Sequence, residues 1–138
     1  MAKKKPIYET FQTARPNGNF MMLYFDMLDS EAWQELTAHE IQLYLYMLRK
    51  YQRKVTKGQI WDSNKENISI PKKEYRELMH QSTFEKSIDH LIELGFILLI
   101  ENRYKTRQCH IYGFCDMWQS YGDKDFYIKP EWMRKYYK

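Results

Sequence analysis

Cysteine, glycine and proline are scarce in this chain, and their scarcity excludes several classes of protein. The 138 residues include only two Cys, five Gly and four Pro. Two cysteines are too few for a disulfide framework, and they fit a reducing compartment. The few glycines form neither a phosphate-binding loop nor a G-x-S-x-G nucleophile motif. The common nucleotide-hydrolase and serine-hydrolase signatures are therefore absent.

Long hydrophobic runs are also missing. The longest are residues 20–25 and 96–100, whereas a bilayer-spanning helix needs about 20 apolar residues. The basic start MAKKKP is not followed by an apolar segment, so it does not resemble a secretory signal. We therefore expect a cytoplasmic protein that makes no contact with a membrane.

Metal-binding and catalytic patterns are weak. Cys109 and Cys115 have a C-x5-C spacing beside His110, whereas zinc sites usually have closer cysteine pairs and a second pair downstream. In a strand, both cysteines would share a face with Ile111, which favours burial as small hydrophobic side chains. The four histidines are scattered along the chain. We expect no metal, no cofactor and no enzymatic activity.

The charge that is present lies in short clusters. Hydrophobic residues make up 43% of the chain and charged residues 29%, which is typical of a folded globular domain. The formal net charge is only +4, but residues 49–57 carry five bases and no acid, and residues 103–107 carry three bases and no acid. Clustered bases permit an anionic partner without requiring one.

The chain divides into an arm and one domain. Residues 1–19 contain three consecutive lysines and no periodic pattern, which indicates a basic flexible arm, either a solvated tail or a segment that touches nucleic acid or a partner. Residues 20–138 are expected to form a single domain. Asp29 or Ser30 is placed to cap a first short helix. Thr37 and Glu40 form a capping box for a longer one, whose predicted buried stripe is Ile41, Tyr44, Leu45, Leu48 and Tyr51.

The remaining elements follow in a recognisable order. Residues 55–67 have the composition of a linker, and residues 68–70 alternate as a very short strand. A helix follows Pro71, and a second begins at a Ser82–Glu85 capping box and ends at Gly95. Strands over 96–100 and 109–114 flank a basic turn, and Gly113 is a candidate bulge. Two helices joined by a tight turn and followed by a hairpin are the order of a winged helix-turn-helix, with its core at 68–114.

The residues themselves resemble that family. The stretch ISIPKKEYRELMHQSTFEKSIDHLIELGFILLIENR is similar to winged helix-turn-helix domains, whose recognition helix typically ends in a Leu-Gly-Phe-Ile sequence before the wing. The turn departs from the family, because Met79-His80-Gln81 has no glycine. The fold class that follows is α+β, a winged helix-turn-helix with an N-terminal helical extension and a C-terminal strand–helix appendage.

The segments on either side of this stretch resemble one subset of the family. The piece FMMLYFDMLDSEAWQELTAHEIQLYLYMLRKYQRK matches that subset's pattern of a short apolar segment, D-L-L-x-S-x-A-W-x-x-L-T/S and a long helix, and FYIKPEW resembles its C-terminal strand and helix. Such chains are common on bacterial plasmids, phages and integrative elements. The resemblance implies a protein of replication initiation, replisome organisation or transcriptional regulation of a mobile element.

In such a fold, the second helix of the pair enters the major groove of DNA, with its N-terminal residues at the base edges. Against this expectation, that helix carries Glu85, Asp89 and Glu93 and only one lysine, so affinity must come from bases elsewhere. The residues that we expect to contact double-stranded DNA are Lys72, Lys73, Arg76, Gln81, Ser82, Thr83, Lys86, His90, Arg103, Tyr104, Lys105 and Arg107.

The acidic second helix also favours a different reading, a winged-helix protein-interaction module that does not bind DNA directly. The C-terminal sequence FYIKPEWMRKYYK is rich in aromatic residues, which are enriched at protein interfaces. It would then dock a replication protein or a second copy of the chain as a homodimer. Alternatively, Phe126, Tyr127, Ile128 and Trp132 fold back on the domain.

Overall fold

Five α-helices and four β-strands make up the described part of the chain, which is residues 21, 23–57 and 59–134 of a computed structural model. The expected arm, residues 1–19, lies outside this part. The architecture is α+β, and no helix within the described residues is long and apolar enough to cross a membrane. The helices are α1 Phe25–Leu28, α2 Glu31–Gln34, α3 Ala38–Lys50, α4 Lys72–Tyr75 and α5 Gln81–Glu93, and the strands are β1 Arg53–Thr56, β2 Gln59–Ser63, β3 Ile97–Glu101 and β4 Ile111–Phe114.

The helix starts in the first half follow the local capping chemistry. The Ser30 hydroxyl accepts a hydrogen bond from the Trp33 amide at 3.2 Å, which caps α2. At α3, the Thr37 hydroxyl accepts from the Glu40 amide at 3.4 Å, and the Glu40 carboxylate accepts from the Thr37 amide at 3.1 Å. The predicted capping box is confirmed, because both of its reciprocal bonds are present.

The buried face of α3 is rotated by about one residue from the predicted stripe. Tyr44, Leu48 and Tyr51 are buried as predicted, but Leu43 and Met47 are buried where Ile41 and Leu45 were expected. Tyr44 lies in an aromatic cluster, 5.2 Å from the Phe96 ring and about 6.1 Å from the rings of Trp33 and Phe114. These contacts come from distant segments, so the helical period alone could not fix the rotation of the helix.

The segment between α3 and residue 68 is a β-hairpin, so the prediction of a linker over 55–67 was wrong. Strands β1 and β2 pair antiparallel, from Arg53 opposite Ser63 to Thr56 opposite Gln59. Lys57, at the turn, has a positive φ of 54°. The strands are only four and five residues long and carry many polar residues, which gave this segment the composition of a loop.

The second sheet follows α5. Strands β3 and β4 are antiparallel, with Ile97 opposite Phe114, and the expected strand at 68–70 is reduced to one bridge in which Ile68 and Tyr112 exchange backbone hydrogen bonds of 2.9 and 2.7 Å. The irregularity in register lies between Leu99 and Glu101, and not at Gly113. A Cβ at position 113 would lie 3.1 Å from the Ile100 side chain and 3.2 Å from the Lys65 carbonyl oxygen, so the glycine allows both groups to approach closely.

Helices α4 and α5 are joined by residues 76–80. The helix α5 is capped by His80, whose Nδ1 accepts from the Ser82 amide at 3.2 Å, so the predicted Ser82–Glu85 capping box was wrong. Ser82 is already inside the first turn, because the His80 ring supplies an acceptor at an earlier position than the sequence pattern suggested. The predicted helix stop at Gly95 is confirmed by its φ of +87°.

The C-terminal segment folds back on the domain without forming the predicted strand and helix. Residues 126–129 form no strand, and Pro130–Trp132 is a single turn of 3-10 helix. Pro130 has no backbone N–H to donate to a neighbouring strand, so a strand in this segment could not continue through it. Ile128, Trp132 and Met133 pack against the core, whereas Tyr127 is 60% exposed.

Candidate nucleic-acid interface

The first turn of α5 presents the residues that were expected to meet DNA. Gln81 and Ser82 are exposed and Thr83 is half-buried. The Gln81 side-chain amide donates to the Glu85 carboxylate at 3.3 Å, and His80 Nδ1 lies 3.0 Å from the Ser82 hydroxyl. These exposed hydrogen bonds hold the side chains loosely and can be exchanged for contacts to bases or phosphates.

The buried residues of α5 determine which of its side chains face outward. Phe84, Ile88 and Leu91 are buried as predicted, and this leaves Lys86 exposed. His90, which was expected to face outward, instead lies 2.5 Å from the Glu40 carboxylate and links α5 to α3. Its side chain keeps 33% of its exposure, so its role as a DNA contact stays a prediction.

Asp89 is neutralised by a residue that the sequence reasoning did not identify. Arg134 donates two hydrogen bonds to it, from Nε at 3.1 Å and from a terminal nitrogen at 3.0 Å. Partial burial acts to lower the pKa of Arg134, but the hydrogen bonds and the charges of Asp89 and Glu85 outweigh it and raise that pKa. The guanidinium therefore stays charged beside the carboxylate, and Asp89 does not present a free negative charge. No local pattern joins two residues that are 45 positions apart.

The bases of α4 and the following turn are exposed. The side chains of Lys72, Lys73 and Arg76 make no hydrogen bond or ion pair with another described residue. Glu74, on the same helix, is instead held by Lys50 at 2.9 Å and by the Tyr46 hydroxyl at 3.0 Å, on the side of α3. Burial acts to raise the pKa of Glu74, but these two hydrogen bonds keep it below its usual value. The one exposed acid beside the three bases is Glu77.

The tip of the β3–β4 hairpin presents fewer free bases than its sequence suggests. Arg103 is engaged, because its guanidinium lies 3.3 Å from Glu101 and 3.4 Å from the Gln108 side-chain oxygen. Lys105 and Arg107 are exposed, and Tyr104 is 78% exposed. The sequence count of three bases and no acid in residues 103–107 overlooked Glu101, just outside that window.

The base of the β3–β4 turn is fixed by His110. Its Nδ1 accepts a hydrogen bond from the Arg103 amide at 2.9 Å. Burial, with a smaller contribution from the charge of Arg134, lowers the pKa of His110. Both facts favour the neutral imidazole, because a protonated Nδ1 has no lone pair for the Arg103 amide.

The rest of the described surface includes an acidic pocket and one of the two cysteines. An open pocket of about 600 Å³ beside α1 and α2 is lined by four carboxylates, which give that end a charge opposite to that of α4. Within the described residues, no group of three His, Cys, Asp or Glu side chains is placed to hold a metal ion. Cys115 is buried and Cys109 is exposed, so the predicted burial is correct only for Cys115.

Comparisons of the chain with protein-family models, with curated proteins and with solved structures returned no match.

Proposed function

We propose that this protein binds double-stranded DNA through α5, with the bases of α4 and the wing tip on the flanking phosphates. The observation that carries the proposal is the set of exposed bases Lys72, Lys73 and Arg76, which pair with no other described residue, next to a helix whose Asp89 is already neutralised by Arg134. The protein is proposed to act without catalysis or a cofactor.

The element order supports a winged helix-turn-helix for residues 38–114. A long helix α3 precedes the bridge at Ile68, the pair α4 and α5 follows, and the antiparallel hairpin of β3 and β4 completes the order. The rings of Tyr75 and Phe84 stack to join the two helices of the pair. In this arrangement α5 is the recognition helix and the β3–β4 turn is the wing.

The proposed contacts divide by chemistry. Lysine and arginine side chains on α4 and at the wing tip bind phosphate, which supplies affinity without sequence information. Gln81 can form paired hydrogen bonds with adenine, and Lys86 can donate to guanine acceptors in the major groove. Tyr104, exposed between Arg103 and Lys105, can pack along the sugar-phosphate backbone.

A matched pair of charge reversals tests this assignment. Lys86→Glu and Lys124→Glu change the net charge equally, and both lysines are exposed, but Lys124 lies outside the proposed interface and beside Asp123 of the acidic pocket. We expect Lys86→Glu to weaken binding to a mixed-sequence duplex by roughly tenfold or more and Lys124→Glu to change it by less than about threefold. Equal losses would indicate a diffuse charge effect and contradict the proposed interface.

The biological role is proposed from the sequence resemblance. Residues 20–114 resemble winged-helix proteins carried by mobile genetic elements, which supports replication initiation or transcriptional regulation of such an element in the cytoplasm. Selection of bound sequences from a random duplex library tests the role. For an initiator or a repressor, we expect the selected duplexes to share one short sequence, in a single copy or repeated within a duplex. Selected duplexes that share no sequence would contradict both roles.

The second candidate is a protein-interaction module that does not bind DNA. It is favoured by three exposed aromatic side chains among the described residues, Phe25, Tyr104 and Tyr127, since tyrosine and phenylalanine are enriched at protein interfaces. A replication protein or a second copy of the chain would be the partner. This candidate predicts no DNA binding even at low salt, which separates it from the first.

A further inference from the structure

The contact between Asp89 and Arg134 differs from the surface ion pairs of this protein. The two partners retain only 13% and 14% of their side-chain exposure, whereas Lys54 and Asp62 retain 66% and 56%. The guanidinium meets both carboxylate oxygens, a paired geometry that fixes orientation as well as charge. An enclosed pair of this kind is costly to break from one side, because the remaining charge is left without a partner.

The surroundings of Arg134 are mainly acidic. On α5, Glu85 lies one turn before Asp89, and both raise the pKa of Arg134. Burial raises the pKa of Tyr112 and lowers that of His110, and the charge of Arg134 acts to lower both. Arg134 is therefore a cation that balances Asp89 and Glu85, the two acidic residues of α5 that act on it.

The C-terminal segment delivers this cation. Trp132 and Met133 pack against the core, and the 3-10 helix Pro130–Trp132 lies against β3. Anchoring of the two preceding residues limits where the next side chain can reach. Arg134 is thus supplied to α5 by a part of the chain that lies outside the helix-turn-helix and the wing.

We propose that Arg134 is a positioning residue of the DNA interface, which acts by cancelling Asp89 and holding its carboxylate away from incoming phosphates. This inference rests on the proposed function. One lysine against three acids gives α5 a formal charge of −2, and the pair with Arg134 reduces it to −1. A free Asp89 on the recognition helix would repel the DNA backbone at short range, where repulsion is strongest.

Three variants separate this role from a simple structural tether. Arg134→Gln removes the cation and frees the carboxylate, Asp89→Asn removes the carboxylate and frees the cation, and the double variant removes both. DNA affinity is measured by fluorescence anisotropy on one mixed-sequence duplex at fixed salt, and thermal unfolding shows that each variant is folded.

We expect Arg134→Gln to weaken binding by about tenfold, which is 1.4 kcal/mol. The double variant should return to within about threefold of the wild-type protein, because no free carboxylate remains. Asp89→Asn should bind at least as tightly as the wild-type protein, since the released guanidinium is available to phosphate. Both variants that lack Arg134 lose the tether, so a tether alone does not predict that they differ, whereas charge cancellation does.

Two results would overturn the inference while leaving DNA binding intact. One is unchanged affinity in Arg134→Gln, and the other is a double variant as weak as Arg134→Gln, which would reduce the pair to a tether. If the wild-type protein did not bind the duplex, the proposed function would be wrong, and this inference with it. The wild-type measurement therefore distinguishes failure of the proposed function from failure of this inference alone.

Discussion

The rings of Tyr75 and Phe84 stack face to face, with centroids 3.9 Å apart and planes within 5° of parallel. This contact joins α4 to α5, so it sets the position of the exposed bases on α4 relative to the proposed recognition helix. Both rings are buried, with 6% and 8% of their surface exposed.

Truncation of this stack should be strongly destabilising. We expect Phe84→Ala to lower the free energy of unfolding by about 3–5 kcal/mol, because it removes a buried ring and leaves a cavity. Tyr75→Phe is the matched control, since it keeps the stacked ring and removes only the hydroxyl. Chemical denaturation measures both variants, and a loss below about 1 kcal/mol in Phe84→Ala would show that the stack does not hold the two helices.

The start of α5 provides a local test of the capping geometry. His80→Ala should cost about 1 kcal/mol of stability, because the Ser82 amide loses its acceptor. His80→Asn should restore most of that stability, since asparagine is a good cap. Ser82→Ala should cost less than His80→Ala, and the opposite ranking in urea denaturation would return the cap to Ser82.

The lowered pKa of His110 predicts a pH dependence of stability. Because the folded protein resists protonation at this ring, the unfolded chain binds more protons as the pH falls below the ordinary histidine pKa of about 6.5. The free energy of unfolding should therefore decrease from about pH 7 towards pH 5. The contribution of His110 should be complete above the ordinary histidine pKa. Thermal unfolding across this range measures the effect.

A histidine pair controls that measurement. His110→Asn keeps an acceptor for the Arg103 amide but does not titrate, so its stability should fall less with pH than that of the wild-type protein. His39→Asn makes the same substitution at an exposed histidine at the start of α3, so it controls for any effect of the exchange itself. If His110→Asn kept the full pH dependence, the linkage to this ring would be wrong.

The wing tip should bind phosphate through its two unengaged bases. In the double variant Lys105→Glu with Arg107→Glu, the slope of log affinity against log salt should decrease by about 0.9 for each phosphate that the wing no longer neutralises. Arg103→Gln should have a smaller effect, because Arg103 already pairs with Glu101. An unchanged slope in the double variant would remove the wing from the interface.

Features fixed by neighbouring residues could be predicted from the sequence. The Thr37–Glu40 box and the stop at Gly95 involve partners within one helical turn, and the buried face of α5 follows the helical period. The choice between His80 and Ser82 as the cap was missed, because histidine is not among the usual cap residues.

Features made by distant segments could not be predicted. The pairs Asp89–Arg134 and His90–Glu40 join residues 45 and 50 positions apart, and neither belongs to a periodic or capping pattern. The Asp89–Arg134 pair weakens the sequence argument against DNA binding. One of the three acidic side chains of α5 is neutralised by a cation from the C-terminal segment. The β1–β2 hairpin was missed for a different reason, since short polar strands have a weak two-residue period.

The most direct test is whether the wild-type protein binds a mixed-sequence duplex of about 30 base pairs in a salt series followed by anisotropy. We predict a dissociation constant in the micromolar range at low salt and a linear loss of affinity on a log–log plot, whose slope divided by about 0.9 counts the neutralised phosphates. Absence of binding at low salt, where the attraction to phosphate is strongest, would contradict the account and leave the protein-interaction module in its place.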